Sequence, residues 1–109
     1  MKHERFVEGR GRRKPADVLA RTIRDHLLRL ARDRFCRGMS DRAAADYLRA
    51  KLARYREGAW RRDRVEERCP DRHLGTINDL FWQALRTRDA IPGDRTVRTA
   101  LAHDFPLPT

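Results

Sequence analysis

Apolar residues recur at helical spacing in four stretches of the chain, each bounded by residues that start or stop a helix. From Pro15 or Ala16 to Arg37, Leu19, Ile23, Leu27 and Leu30 form a stripe, widened by Val18, Ala31 and Phe35. Proline is tolerated in the first turn, and Arg37-Gly38 ends the segment. Ser40 caps a second helix over residues 41–56, with Ala44, Ala45, Leu48, Leu52 and Tyr55 facing inward. Gly58 breaks that pattern, and residues 59–74 read as a linker or a short helix, closed by Pro70. Thr76 caps the next segment, whose apolar face is Ile77, Leu80, Phe81, Ala84 and Leu85. It stops at Ala90-Ile91-Pro92-Gly93, because proline lacks the donor that a helix needs and glycine accepts left-handed angles. Asp94 then caps a last, short helix with Val97, Ala100 and Leu101 inward. Its outer face is Arg95, Thr96, Arg98 and Thr99, reaching towards His103.

Few β-branched runs exist to build strands, so the expected fold is all-α, a compact bundle of four or five helices. The small alanines of the second helix allow close approach to the first, giving a long N-terminal αα-hairpin over residues 15–58. A helix-turn-helix-like pair over residues 75–103 completes a single domain ending near residue 105. Residues 106–109 form an extended tail, and Phe105 is placed to pack back on the domain.

The layout of the C-terminal pair is a helix, a glycine-containing turn and a short helix with an arginine and threonine outer face. The phrase Ile91-Pro92-Gly93-Asp94-Arg95-Thr96-Val97-Arg98 resembles the turn and recognition-helix start of helix-turn-helix DNA-binding proteins. The resemblance covers under a third of the chain, and it is to a general layout and not to a particular family. It implies that Arg95, Thr96, Arg98 and Thr99 face base edges and phosphates. An ordinary corner between two helices of a bundle has the same pattern.

Charge shifts the weight towards a polyanionic partner. Lys and Arg number 26 against 16 Asp and Glu, for a net charge of +10. Residues 1–68 hold 21 basic and 11 acidic side chains, whereas residues 69–109 hold 5 of each. The whole excess therefore lies outside the helix-turn-helix-like pair, and most phosphate contacts must come from the N-terminal two-thirds. Residues 1–14 carry six basic side chains and no apolar period, which reads as a mobile basic arm. Arg10-Gly11-Arg12 is similar to the core of AT-hook segments, which lie in the minor groove, although Arg13 stands where those have proline. A solvated tail is the plainer alternative.

Within the first helix, Asp17/Arg21, Asp25/Arg29 and Asp33/Arg37 are acid-before-base pairs at the favoured spacing of four, leaving Arg24, Arg32 and Arg34 over. His26 sits at the edge of the apolar stripe. Arg42, Arg49 and Arg56 recur every seven residues, share one stripe of the second helix, and are the candidate phosphate-tracking row. Arg61 and Arg62 beside Trp60 would suit nucleic acid too, though a lone tryptophan more often closes a core edge.

Catalytic chemistry is sparse. Cys69 and His73 have a ligand-like spacing but no second pair, so no metal is expected. Asp63, Glu66, Glu67 and Asp71 are interleaved with arginines and read as surface pairs. The only serine is Ser40, at a cap position, so neither an enzyme nor a cofactor is expected. Hydrophobic residues make up 39% and mean hydropathy is −0.87, with no run long enough to cross a membrane. The first helix needs its apolar face for the core, which weighs against membrane-surface binding. No apolar run follows Met1-Lys2-His3-Glu4-Arg5, and two cysteines suit free thiols, so the expected location is cytoplasmic, on the nucleoid if DNA is bound. The leading expectation is a small DNA-binding protein, either a transcriptional regulator or a mobile-element accessory factor, whose partner is double-stranded DNA. The alternative is a helical interaction protein that docks on a protein or ribonucleoprotein assembly. A homodimer is compatible with either, and would space DNA half-sites about one helical turn apart.

Overall fold

Two helices begin where their caps predict. Ser40 Oγ accepts a hydrogen bond from the Ala43 amide at 3.1 Å, and Thr76 Oγ1 accepts one from Asn78 at 3.2 Å. The structure, a computed structural model, describes residues 14–103. Among these it is all-helical, with no strand: α1 (Pro15–Phe35), α2 (Asp41–Glu57), α3 (Trp60–Asp63), α4 (Ile77–Thr87) and α5 (Asp94–Ala102), plus a 3-10 turn at Asp71–His73. The basic arm, with Arg10, Arg12 and Arg13, and the tail with Phe105 lie outside the described residues. Residues 59–74 hold both a short helix and irregular chain. No helix is long and apolar enough to cross a membrane.

The inward faces of α2, α4 and α5 are those the periodicity picks out. Ala44, Ala45, Leu48, Leu52 and Tyr55 are buried, as are Leu80, Phe81, Ala84 and Leu85, and Val97, Ala100 and Leu101. Trp60 and Trp82 join the same core. Two local expectations need correction. Gly93, not Asp94, occupies the cap position of α5, in an extended conformation. Asp94 is the first helical residue, and its carboxylate instead accepts from Arg98 Nε at 2.9 Å. α1 also ends two residues early, at Phe35, and Gly38 turns the chain at φ +81, a left-handed angle that suits glycine.

The expected α1 stripe holds from Ile23 onward, where Leu27 and Ala31 are buried and Ile23, Leu30 and Phe35 pack against the core. It fails at the start of the helix and is wider than expected. Val18 and Leu19 are 49% and 57% exposed, whereas Leu28 is 1% exposed. Residues 15–19 are all exposed, so the first turns of α1 run past the helices that cover its remainder. The wider covered face also buries two arginines, Arg24 and Arg29. α1 packs most extensively on α4 and α5, and less on α2. α5 packs on both α1 and α2 and so joins the two arms of the hairpin.

The segment between α2 and α4 is held by one buried carboxylate. Asp63, at the end of α3, is 1% exposed. Its Oδ2 accepts from Tyr55 Oη at 2.9 Å and from His73 Nε2 at 2.8 Å, and its Oδ1 accepts from Arg72. Its backbone carbonyl accepts from Trp82 Nε1 at 3.2 Å. Asp63 therefore ties α2, the 3-10 turn and α4 together, and it is not a surface pair as its acidic neighbourhood implied. Burial alone would raise its pKa; hydrogen bonds from His73, Tyr55 and Arg72, with the Arg72 charge, outweigh that and hold it below its ordinary value. An ionised carboxylate only accepts, so His73 Nε2 carries the proton. Tyr55, buried and donating to Asp63, has its phenol pKa raised well above normal.

Leu28→Ala is expected to cost about 3 kcal/mol in urea unfolding, and Leu19→Ala less than about 0.5 kcal/mol. The opposite ranking would mean that the first turns of α1 are covered and Leu28 is not. Asp63→Asn is expected to cost about 3 kcal/mol at neutral pH, because two or three donors lose a charged acceptor. The depressed carboxyl contributes its full stability above its ordinary value of 3.8 and loses it as pH falls through the lower folded value. Unfolding curves of the two proteins should therefore converge below about pH 4. A gap that persists into acid would show that Asp63 acts by shape alone.

Candidate nucleic-acid interface

α5 is fixed at both ends by arginines from other helices. It carries no basic residue in its last turn, so its terminal carbonyls need donors from elsewhere. Arg29 Nη1 donates to the Ala100 carbonyl at 3.0 Å, and Arg32 Nη1 to the Leu101 carbonyl at 2.7 Å. Arg32 also reaches Asp33 and Asp41, so one guanidinium joins α1, α2 and α5. At the other end, Arg49 Nε donates to the Pro92 carbonyl at 3.0 Å. Arg56 binds Asp89 through its carboxylate at 2.8 Å and through its carbonyl. Two of the three arginines in the candidate phosphate row thus hold the chain that leads into α5. Arg42, the third, is exposed and has no partner among the described residues.

Six residues, Arg88–Gly93, separate α4 from α5, more than the three or four of a typical helix-turn-helix turn. The two helices rest on α1 more than on each other. The geometry is a short helix cradled between α1 and α2, with its outer face turned to solvent. Arg95, Thr96, Arg98 and Thr99 are all exposed on that face, as sequence periodicity places them. Arg95 has no partner among the described residues, and Arg98 pairs with Asp94 one turn back.

This face does not stand alone. An open hollow of about 310 Å³ between α1 and α5 is lined by Arg21, Arg24, Asp25, Arg95, Thr96 and Thr99. A second hollow, lined by Arg95, Arg98, Thr99 and Ala102, adjoins it and shares Arg95 and Thr99 with it. The α1 residues were not legible as part of a site, because acid-base spacing had assigned Arg21 and Arg29 to helix support. In the fold, Asp25 binds Arg24 and Asp33 binds Arg32, each the adjacent residue. Arg21 and Arg24 border the start of α5 while Arg29 and Arg32 reach its end, so the two helices run in the same direction. Lys14, where the described chain enters α1, therefore lies towards the start of α5. Arg61 and Arg62 are exposed on α3, and Arg61 borders a separate hollow with Arg56, Trp60 and Arg64.

Other chemistry is structural. Burial raises the Cys36 thiol pKa against the opposing pull of Arg32, and burial with Asp79 pushes Cys69 up to about 11. Neither is a ready nucleophile at neutral pH. Among the described residues, no group of three or more His, Cys, Asp or Glu side chains is placed to hold a metal ion. His73 is engaged with Asp63 and stacks edge-on against Tyr55. Comparison with protein-family models, with curated proteins and with solved structures finds no match.

Arg32→Met is expected to lower stability by about 1–2 kcal/mol, since it removes a charge-assisted bond to a helix-end carbonyl. Hydrogen exchange should localise the loss of protection to the α5 amides. Uniform loss across all helices would mean that Arg32 does not act as the cap.

Proposed function

We propose that this protein binds double-stranded DNA through the outer face of α5, as a small regulator or an accessory factor in DNA transactions. The observation that carries the reading is that α5 is fastened on its inner face and at both ends. Two arginines and two threonines are left facing solvent beside further α1 arginines. A rigid helix with such an outer face has the width and the donor chemistry for a major groove. Arginine forks suit guanine edges and phosphates, and threonine hydroxyls suit either. Arg42, Arg61 and Arg62 remain exposed for phosphate contact, and Arg10, Arg12 and Arg13, outside the described residues, add basic charge to the chain. Arg49 and Arg56 act in this reading by holding α5 in place, since their donors already bind the preceding linker.

A second reading has one observation in its favour. Val18 and Leu19 expose apolar surface on the first turns of α1, which suits a protein partner, including a second copy of the chain.

The direct test is a gel-shift titration against random duplex DNA and duplex RNA over a salt series. The wild-type protein is expected to retain a subset of DNA sequences at near-physiological salt. Arg95→Ala with Arg98→Ala should weaken that binding roughly 10- to 100-fold and flatten the sequence preference. Retained affinity and preference in the double variant would remove α5 from the contact surface. Binding that is uniformly weak and vanishes with salt would redirect the search to a protein partner by pull-down.

A further inference from the structure

We infer that the hollow between α1 and α5 is a phosphate site that grips one phosphodiester of the duplex backbone. This rests on the reading of α5 as the DNA-contacting helix and adds α1 to the machinery.

Arg24 carries most of the argument. It is 4% exposed, on the buried face of α1, yet it lines an open hollow. Its Nε and Nη2 both donate to a single carboxylate oxygen, Asp25 Oδ1, at 3.2 and 3.0 Å. Nη1 has no partner among the described residues. Asp25 thus fixes the plane of the guanidinium while one end of its fork remains unused. Such an arrangement is pre-organised for an anion, because a held fork loses little freedom when it binds.

The surroundings fit a tetrahedral oxyanion. Three guanidiniums, from Arg21, Arg24 and Arg95, line the hollow against one carboxylate, Asp25. Thr96 and Thr99 line the same wall, three residues apart and so neighbours on one helix face. The two anionic oxygens of a phosphodiester accept from guanidinium forks, and the hydroxyls supply further donors. The hollow adjoins the one past Arg98, with Arg95 and Thr99 lining both, and two neighbouring sites along one helix suit a polymer backbone better than a free ion. The arrangement divides the outer face of α5. Arg95, Thr96 and Thr99 hold the backbone, and Arg98, one turn on, reaches the base edges.

The test compares wild type with Arg24→Gln and, because a buried residue is altered there, with Thr99→Val, an exposed isosteric change. Thermal unfolding verifies that each variant folds. Both variants are expected to lose about 5- to 10-fold in affinity equally for every duplex, leaving sequence preference unchanged. Arg24→Gln should also make the dependence of log K on log salt shallower by about 0.9. If wild type binds DNA while both folded variants keep its affinity and slope, the hollow is no phosphate site, although the DNA reading stands. A wild type that binds no duplex at any salt overturns both. Inorganic phosphate is titrated in parallel by amide NMR. Saturable shifts confined to Thr96 and Thr99, with DNA affinity unaltered in the variants, would make the hollow a small-anion site and overturn the backbone assignment.

Discussion

Burying a carboxylate is costly unless donors surround it, and Asp63 is surrounded on every side. Tyr55 comes from α2, Arg72 and His73 from the 3-10 turn, and Trp82 of α4 holds the adjacent backbone. Residues 58–76 contain little regular structure to hold themselves together. Their path is set by this one acceptor, and the path sets where α4 begins. α4 in turn covers α1, and α1 positions α5. The ring of Tyr55 also packs against Trp60, His73 and Phe81, so the polar hub and the aromatic part of the core share a residue.

Arginine is the other structural currency of this fold. Arg29, Arg32, Arg49, Arg56 and Arg86 each donate to a backbone carbonyl elsewhere in the chain. Short helices leave a large share of their carbonyls without internal partners, and those carbonyls need donors from elsewhere in the chain. A guanidinium reaches such carbonyls with several donors while its aliphatic stem covers apolar surface. Arg86 binds the Glu66 carbonyl while its guanidinium lies over the Trp82 ring, 5.0 Å from the centroid. Much of the +10 charge is therefore bound up in architecture. Among the described residues, exposed arginines remain on α5 (Arg95, Arg98) and α3 (Arg61, Arg62), and also at Arg34, Arg37, Arg42, Arg54 and Arg68.

The helices and most of their inner faces were legible because caps and apolar periodicity are local. Ser40, Thr76 and the Val97-Ala100-Leu101 face needed no long-range information. What was not legible depends on partners distant in sequence. Leu19 and Leu28 are equally apolar, and only the reach of α4 and α5 along α1 decides which is covered. Asp63 resembles its acidic neighbours until Tyr55 and His73 are brought beside it. Arg49 fits the seven-residue row as well as Arg42 does, and only the path of Pro92 separates their roles. The α5 outer face was read correctly as exposed, while the contribution of α1 to it was hidden because four-residue spacing assigned Arg21 to helix support and left Arg24 without a place.

Fastening α5 from its ends has an evolutionary consequence. No side chain at positions 95, 96 or 99 is required to keep the helix seated, because Arg29, Arg32 and Arg49 act on its flanking carbonyls and Val97, Ala100 and Leu101 act on its inner face. Mutational drift on the outer surface is thereby uncoupled from the survival of the fold. A lineage can rewrite these positions one at a time, each change screened for what the surface touches and hardly at all for whether the chain still folds.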